Sequence, residues 1–284
     1  KKRLLSLLLA FAMVVSLLPT AAFAGEGGTV YISASDDGRY LDGLAYAPVS
    51  LEELSNIDLA DYDMGDFAYD ADGDGTAEPV KYRVLDTSTT EFGGTTMLLD
   101  CDSILYKQKF NEDGIANVGY IKANDWGGSD VRNSLSGNDF LHKDEVFTNI
   151  EKRVIAESTK AEANASDGDG FGANLIYVPL TGEKIFLLDA KEATRTTYGY
   201  RNEMLDAGER KKKYRDSVGH WWLRSAGNSE LEAGNIQSNS YVMYNWVYSD
   251  YPGVSPAFNL NLSEVLFSSI VAGTAGEIGA EYKL

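Results

Sequence analysis

Cysteine and histidine are nearly absent from the chain, which has one cysteine, Cys101, and two histidines, His142 and His220, among 284 residues. A single cysteine has no disulfide partner within the chain, so stability has to come from a packed core. Zinc sites built from His and Cys are disfavoured, since no His-Glu-x-x-His motif is present. A serine hydrolase is disfavoured too, because no Gly-x-Ser-x-Gly elbow accompanies either histidine.

Positive charge is also scarce, with 25 Lys and Arg against 43 Asp and Glu and a formal net charge of -18. Such a surface repels phosphate backbones and anionic lipid, which argues against nucleic-acid and membrane-surface partners. The basic run 209–215 is the exception, and a solvated loop or helix face is the preferred interpretation.

Long apolar runs are missing after residue 24. The run before it, Leu4–Leu18, follows Lys1-Lys2-Arg3 and precedes Ala22-Phe23-Ala24. This pattern predicts a secretory signal peptide over residues 1–24 and a secreted or cell-surface protein with no membrane insertion after signal removal. Export without disulfides favours the surface of a Gram-positive bacterium.

Helix caps and β-rich runs predict the elements of the mature chain. Capping boxes or caps predict short helices beginning near Ser50, Ser129 and Thr148, and the helix after Ser129 is predicted to cover 130–136 and to end at Gly137. An apolar run predicts a strand over 184–188 that continues into a capping pattern at 189–192. Short aromatic and β-branched runs after Gly219 predict strands over 220–225, 233–237, 241–248 and 254–260. Predicted helices in the middle of the chain and predicted strands at its end favour an α+β domain with short helices and a mostly antiparallel, carboxy-terminal sheet.

Five blocks of sequence resemble a known family: "PVKYRVLD" (79–86), "SDVRNSLSGNDFL" (129–141), "GEKIFLLDAKEA" (182–193), "WWLRSAG" (221–227) and "GVSPAFNLNLSEVLFSS" (253–269). The family is an uncharacterised exported domain common in Gram-positive bacteria, similar to the formylglycine-generating-enzyme and C-type-lectin-like fold. The resemblance implies a C-type-lectin-like domain over 61–269, after a lead-in segment over 25–60. Residues 270–284 would form a tail in which a further module begins.

The chain departs from this family at Ser255, where relatives usually have Arg, and at Ala226, where they usually have Pro. If that Arg pairs with a carboxylate in relatives, the pair is missing here. Formylglycine chemistry uses a suitably placed pair of thiolates, and Cys101 as the single cysteine of the sequence argues against it. C-type lectins that bind sugar through calcium use a Glu-Pro-Asn or Gln-Pro-Asp triplet together with a Trp-Asn-Asp triplet. These triplets are absent from this sequence, so the resemblance does not imply calcium-dependent sugar binding.

An acidic loop is the best metal candidate. Asp70, Asp72 and Asp74 occupy positions 1, 3 and 5 of a calcium loop, with Gly75 at position 6. Position 12 is Lys81 rather than Glu, so Glu78 or a distant residue would have to complete the shell. The sequence leaves two alternatives open, a calcium site and a plain acidic turn.

The carboxy-terminal strands are rich in Tyr, Asn and Ser, which suits a recognition surface. An ordinary polar hairpin is the alternative. The predicted ligand-binding residues are Asn228, Asn239, Tyr241, Tyr244, Asn245, Trp246, Tyr248 and Tyr251.

The block "GHWWLRSAGN" at 219–228 is interpreted as mostly scaffold, with function beginning at its loop end, Gly227-Asn228. The leading hypothesis is a non-catalytic ligand-recognition domain for a glycan, peptide or host surface, without a cofactor other than calcium. One alternative is a secreted hydrolase with two facing carboxylates, one of raised pKa. The other is a structural module of a longer cell-wall protein.

Overall fold

The computed structural model describes residues 31–33, 68–71, 73–94, 96–115, 119, 122–137, 139–143, 146–147, 149–161, 175–200, 208–261, 269–272 and 281–283. The predicted signal peptide and the helix predicted to begin near Ser50 lie outside these residues.

The described part of the chain is built mainly from short strands. They are β1 (Tyr31–Ser33), β2 (Ala68–Tyr69), β3 (Glu78–Pro79), β4 (Lys81–Thr89), β5 (Thr96–Cys101), β6 (Tyr106–Lys107), β7 (Ile155–Ala156), β8 (Ser158–Lys160), β9 (Leu180–Glu183), β10 (Ile185–Phe186), β11 (Lys213–Tyr214), β12 (Ser217–Val218), β13 (His220–Ala226), β14 (Glu232–Ile236), β15 (Val242–Trp246), β16 (Pro252–Val254), β17 (Ala257–Leu260), β18 (Ser269–Ala272) and β19 (Glu281–Lys283). Two α-helices are described, α1 (Asp130–Ser136) and α2 (Asn149–Val154).

The strands form two main sheets. The larger has the order β10-β17-β5-β4-β1-β19-β18, with β7 also paired to β17. The smaller has five strands in the order β15-β14-β13-β16-β6. Pairing is antiparallel except between β1 and β4 and between β13 and β16, which are parallel. Three two-stranded ribbons, β2-β3, β8-β9 and β11-β12, complete the described strands.

The predicted α+β, C-type-lectin-like fold class is wrong for the described residues. They are mostly strands in several largely antiparallel sheets, and the two α-helices have only seven and six residues. The error has a physical cause, because a cap fixes where a helix begins but not how far it continues. The pattern at 189–192 thus opens a 3-10 turn over Glu192–Thr194 rather than an α-helix.

Several local predictions are confirmed. Helix α1 has the predicted bounds, and the Ser129 side chain accepts a hydrogen bond from the Arg132 backbone N–H at 3.1 Å. The Gly137 N–H closes the last turn on the Ser134 carbonyl. The four carboxy-terminal runs all contain strands, displaced from the predicted bounds by a few residues at their ends.

The hydrophobic core is one cluster of buried side chains, to which strands of both main sheets contribute. Strand β5 is buried along its whole length, and β4 and β17 pair with it on either side in the sheet. Trp221 and Trp222 on β13 are both fully buried. The Trp221 indole donates to the Arg210 carbonyl at 3.0 Å and the Trp222 indole to the Gln108 carbonyl at 2.8 Å. Both tryptophans therefore act as scaffold, as the sequence indicated.

No helix among the described residues combines the length and the apolar character that crossing a membrane requires.

Candidate functional site

The predicted ligand-binding residues lie on the β14-β15 hairpin and the turns around it, but they do not form one surface. Trp246 lies opposite Glu232, and Val242 lies opposite Ile236. Asn239 is therefore in the turn at one end of the hairpin, and Trp246 is at the other end. Tyr251 lies elsewhere, with its ring 6.4 Å from the His220 ring.

Three of the predicted residues, Tyr244, Trp246 and Tyr248, are grouped towards the end of β15, and we call them the aromatic platform. Their side chains are 40%, 47% and 43% exposed. Tyr244 and Trp246 are two residues apart on one strand and so point to the same side of it. The Trp246 and Tyr248 rings are nearly parallel, with an interplanar angle of 13° and centroids 5.9 Å apart.

Buried neighbours hold this platform in place. Val247, which separates Trp246 from Tyr248 in the sequence, is fully buried and donates its N–H to the Leu231 carbonyl at 2.9 Å. The Asn111 N–H binds the Val247 carbonyl at 2.9 Å. Tyr248 packs on Gly114, where an added Cβ would come within 2.9 Å of Tyr248 Cδ1. The platform therefore rests on fixed backbone rather than on a free loop.

The remaining predicted ligand residues have mixed positions. Asn228 is exposed in the turn between β13 and β14, at the platform end of the hairpin. The Asn245 side-chain oxygen accepts the Trp246 N–H at 2.9 Å. Tyr241 is half-buried, and its backbone N–H binds the side chain of Asn239 at 3.2 Å.

The predicted calcium residues fall partly outside the described chain, because Asp72 is not described. The Asp70 carboxylate accepts backbone N–H groups of Gly73, Asp74 and Gly75 at 2.6, 3.1 and 2.9 Å. Glu78 lies on β3, paired with Tyr69. Among the residues that can be described, no group of three or more His, Cys, Asp or Glu is placed to hold a metal ion. Calcium binding stays a prediction.

A second candidate site is a cleft of about 440 Å³, which we call the charged cleft. It is lined by Glu91, Lys160, Ala161, Asp189, Lys191, Glu192 and Arg195. The sequence did not predict it, since its lining residues come from three separate stretches of the chain. The available signals were the capping pattern at 189–192 and the arginine of the "WWLRSAG" block.

Arg224 on β13 anchors the floor of the charged cleft although it is fully buried. Its guanidinium binds Glu192 through two bonds of 2.6 and 3.0 Å and Asp189 through one of 2.6 Å. It also donates to the carbonyls of Val178 and Leu187 at 3.1 and 2.7 Å. All five N–H groups of the arginine thus have acceptors.

The two buried carboxylates also hold each other in place. The Asp189 side chain accepts the Glu192 N–H at 2.7 Å, and the Glu192 side chain accepts the Asp189 N–H at 2.9 Å. This is the reciprocal pattern of a capping box, built with Asp in place of Ser. Lys160 adds an ion pair of 2.7 Å to Glu192 and one of 3.3 Å to Glu91.

Neighbouring cations keep the carboxylates of the charged cleft ionised. Burial raises the pKa of Glu192, but Arg224 and Lys160 outweigh it, and the pKa lies well below its ordinary value. The hydrogen bond from Arg195 is the main cause of the lowered pKa of Glu91. Glu91 and Glu192 therefore both lack the raised pKa that the hydrolase alternative requires of its general acid.

A separate buried ion pair lies beside Ser255. Lys212 binds Asp100 at 2.6 Å and the Ser255 hydroxyl at 2.9 Å, and Tyr200 also donates to Asp100. Burial raises the pKa of Asp100, and Lys212 counteracts only part of that effect. The pair that the missing arginine at position 255 would make is therefore not needed to give Asp100 a cation, because Lys212 binds this carboxylate instead.

A family model matches residues 73–262, which cover most of the described β-structure. Its description is "Domain of unknown function (DUF6273)". The chain belongs to this family. The DUF6273 segment includes β4 to β17, the aromatic platform and the charged cleft. Comparison with curated proteins and with solved structures gives no match.

Proposed function

We propose that the chain is a non-catalytic recognition domain that binds a neutral glycan on the aromatic platform. The observation that carries the proposal is the exposure of Tyr244, Trp246 and Tyr248 together at one end of the hairpin. A ligand that covers large aromatic side chains removes apolar surface from water, which stabilises the complex. The faces of these rings also pack against the C–H groups of a sugar ring. Tyrosine and tryptophan do so at low entropic cost, since few of their torsions need to be fixed.

Charge supports a neutral ligand for this surface. The chain carries a formal net charge of -18. Near the platform, the side chains of Asp250 and Glu112 are 85% and 65% exposed, and both lie close to Lys109, at 4.0 and 2.7 Å. An uncharged sugar is not repelled by such surroundings, whereas nucleic acid and anionic lipid are.

The signal-peptide pattern at residues 1–24 supports an activity outside the cytoplasm, at the cell surface or in the medium. Detection of the mature chain in the culture medium or in the wall fraction tests the location.

A glycan array with the purified domain tests the function. We expect selective binding to neutral glycans that weakens by roughly tenfold for each ring lost, or about 1.4 kcal/mol, in Trp246→Ala and Tyr248→Ala. The matched control is Tyr251→Ala, which removes an aromatic side chain that is 74% exposed but lies beside His220. Equal binding by the wild type and the Trp246→Ala, Tyr248→Ala double variant would refute the proposal.

A further inference from the structure

We propose that Lys212 and Asp100 form an intramolecular isopeptide bond, in which the lysine amine and the aspartate carboxyl group condense to an amide. The two side chains make the buried ion pair beside Ser255 and take no part in the glycan recognition proposed above. A chain with a single cysteine has no internal disulfide, so this amide would be a covalent cross-link of another kind.

The reacting groups are already in contact. Lys212 Nζ lies 2.6 Å from Asp100 Oδ2. The carboxyl carbon, Cγ, is one bond of about 1.2 Å beyond that oxygen, so the two atoms that would join are at most about 3.8 Å apart. Reaction is favoured when such atoms are roughly 3–3.5 Å apart, so a small adjustment of the two side chains is enough.

Protein encloses the pair. The side chains of Lys212 and Asp100 are 2% and 1% exposed, and Ser255 is fully buried. The centre of the Trp221 ring lies 4.0 Å from Lys212 Nζ. Such surroundings penalise two separate ions, and they shield the amide from the bulk water that would hydrolyse it. Burial therefore favours condensation over the ion pair.

Asp100 is less well compensated than Glu192, a buried carboxylate that also binds a lysine. Glu192 is bound by Lys160 at 2.7 Å and by two bonds from Arg224, and these cations lower its pKa. Asp100 is bound by its lysine and by the Tyr200 hydroxyl on Oδ2. Its Oδ1 is buried without a hydrogen-bond partner among the described residues, and burial raises the pKa of this carboxyl group. The protonated form that condensation requires is therefore favoured at Asp100 and disfavoured at Glu192.

The reaction balances with the atoms of the ion pair alone. A proton first moves from Lys212 Nζ to Asp100 Oδ2 along their hydrogen bond, which leaves an amine and a carboxylic acid. The amine lone pair then attacks Cγ and the Cγ–Oδ2 bond breaks. Oδ2 leaves as water with two of the three ammonium protons, and the third proton stays on the amide nitrogen.

Two hydroxyl groups assist these steps. The Tyr200 hydroxyl donates to Asp100 Oδ2, the oxygen that leaves, and so stabilises the charge that develops on it. The Ser255 hydroxyl accepts a hydrogen bond from Lys212 Nζ at 2.9 Å and donates to the Cys101 carbonyl at 3.1 Å. Ser255 therefore holds the amine beside the carboxyl group.

The bond would join distant parts of the fold. Asp100 lies on β5 of the larger sheet, and Lys212 precedes the ribbon β11-β12, which leads into β13 of the smaller sheet. The two residues are 112 positions apart in the sequence. A cross-link over such a distance restricts the unfolded chain and so stabilises the folded one.

Mass spectrometry of the purified chain, denatured after folding, tests the proposal. We expect a mass that is one water lower than the sequence requires, with the terminal residues assigned from a tryptic digest. The digest should contain a branched peptide that joins Asp100 to Lys212, because trypsin does not cleave after an acylated lysine. No branched peptide should join Lys160 to Glu192, which is the internal control. A full mass, or loss of water without the Asp100–Lys212 branched peptide, would overturn the proposal.

Variants assign the reaction to this pair. Lys212→Arg keeps the positive charge, but a guanidinium stays protonated and is not a nucleophile, so the variant should have the full mass. Lys213→Arg is the matched control, because it changes the exposed neighbouring lysine and should still lose one water. Loss of water in Lys212→Arg would contradict the assignment. If Lys212→Arg does not fold, the mass and the branched peptide of the wild type still decide. No glycan enters this test, so this proposal and the glycan proposal can fail independently.

Discussion

Replacing Arg224 by methionine removes the charge that holds two buried carboxylates while preserving much of the side-chain volume. Asp189 and Glu192 would then remain buried with Lys160 as the nearest cation, 2.7 Å from Glu192 and 4.0 Å from Asp189. The carbonyls of Val178 and Leu187 would also lose a donor. We therefore expect Arg224→Met to destabilise the protein strongly.

The expected loss is about 3–5 kcal/mol, the usual effect of removing one partner from a buried ion pair. This is a large part of the roughly 5–15 kcal/mol by which a domain is stable. Urea unfolding followed by tryptophan fluorescence measures it, since Trp126, Trp221 and Trp222 are all buried. Arg224→Lys should be less damaging, because lysine keeps the charge but not the five-donor fork.

A double variant separates charge from packing. Glu192→Gln leaves Asp189 as the single buried carboxylate for Lys160 to balance, so it should recover part of the stability that Arg224→Met loses. The control for the methionine substitution itself is Arg153→Met on the exposed side of α2. A loss below about 1 kcal/mol in Arg224→Met would refute the account of the buried network.

Three further predictions concern other parts of the molecule. Burial raises the pKa of Cys101 to about 12, so at pH 8 only about one native thiol in 10,000 is ionised, and iodoacetamide should label the cysteine only after unfolding. Because the pKa of Glu192 is lowered on folding, its stabilising contribution is complete above the ordinary value of 4.5 and is lost as the pH falls below it; Glu192→Gln should flatten this part of the stability profile. Gly114 has a φ of +63°, and Gly114→Ala would place a methyl group 2.9 Å from Tyr248 Cδ1, so the affinity for the glycan should fall. A control substitution at an exposed position, Arg153→Ala, should leave the affinity unchanged.

Local elements with a complete chemical signal were predictable from sequence. Ser129 is a helix-capping residue and Gly137 a helix-ending residue, and together they predicted both ends of α1. Strand alternation puts Trp221 and Trp222 on opposite faces, and the family resemblance favoured scaffold over a ligand-facing side chain for Trp222. Both tryptophans are buried. The exposed aromatic residues of β15 were recognisable by composition.

Long-range pairing was not predictable in the same way. Nothing in the local sequence indicates that Arg224 binds a capping box 32 and 35 residues earlier, or that Lys212 reaches Asp100 across 112 residues. The fold class failed for a related reason, since sheet order depends on pairings such as that of β17 with β5. The eight predicted ligand residues were likewise divided by hairpin register, which places Asn239 and Trp246 at opposite ends.

Tryptophan quenching by acrylamide tests the proposed glycan site most directly. All four tryptophans are described, and Trp246 is 47% exposed while Trp126, Trp221 and Trp222 are at most 1% exposed. Quenching of the native protein therefore reports on Trp246, and Trp246→Phe should abolish most of it. A saturating glycan selected on the array should protect Trp246 from acrylamide. A glycan that binds tightly and leaves the quenching of Trp246 unchanged would contradict the aromatic platform as its site.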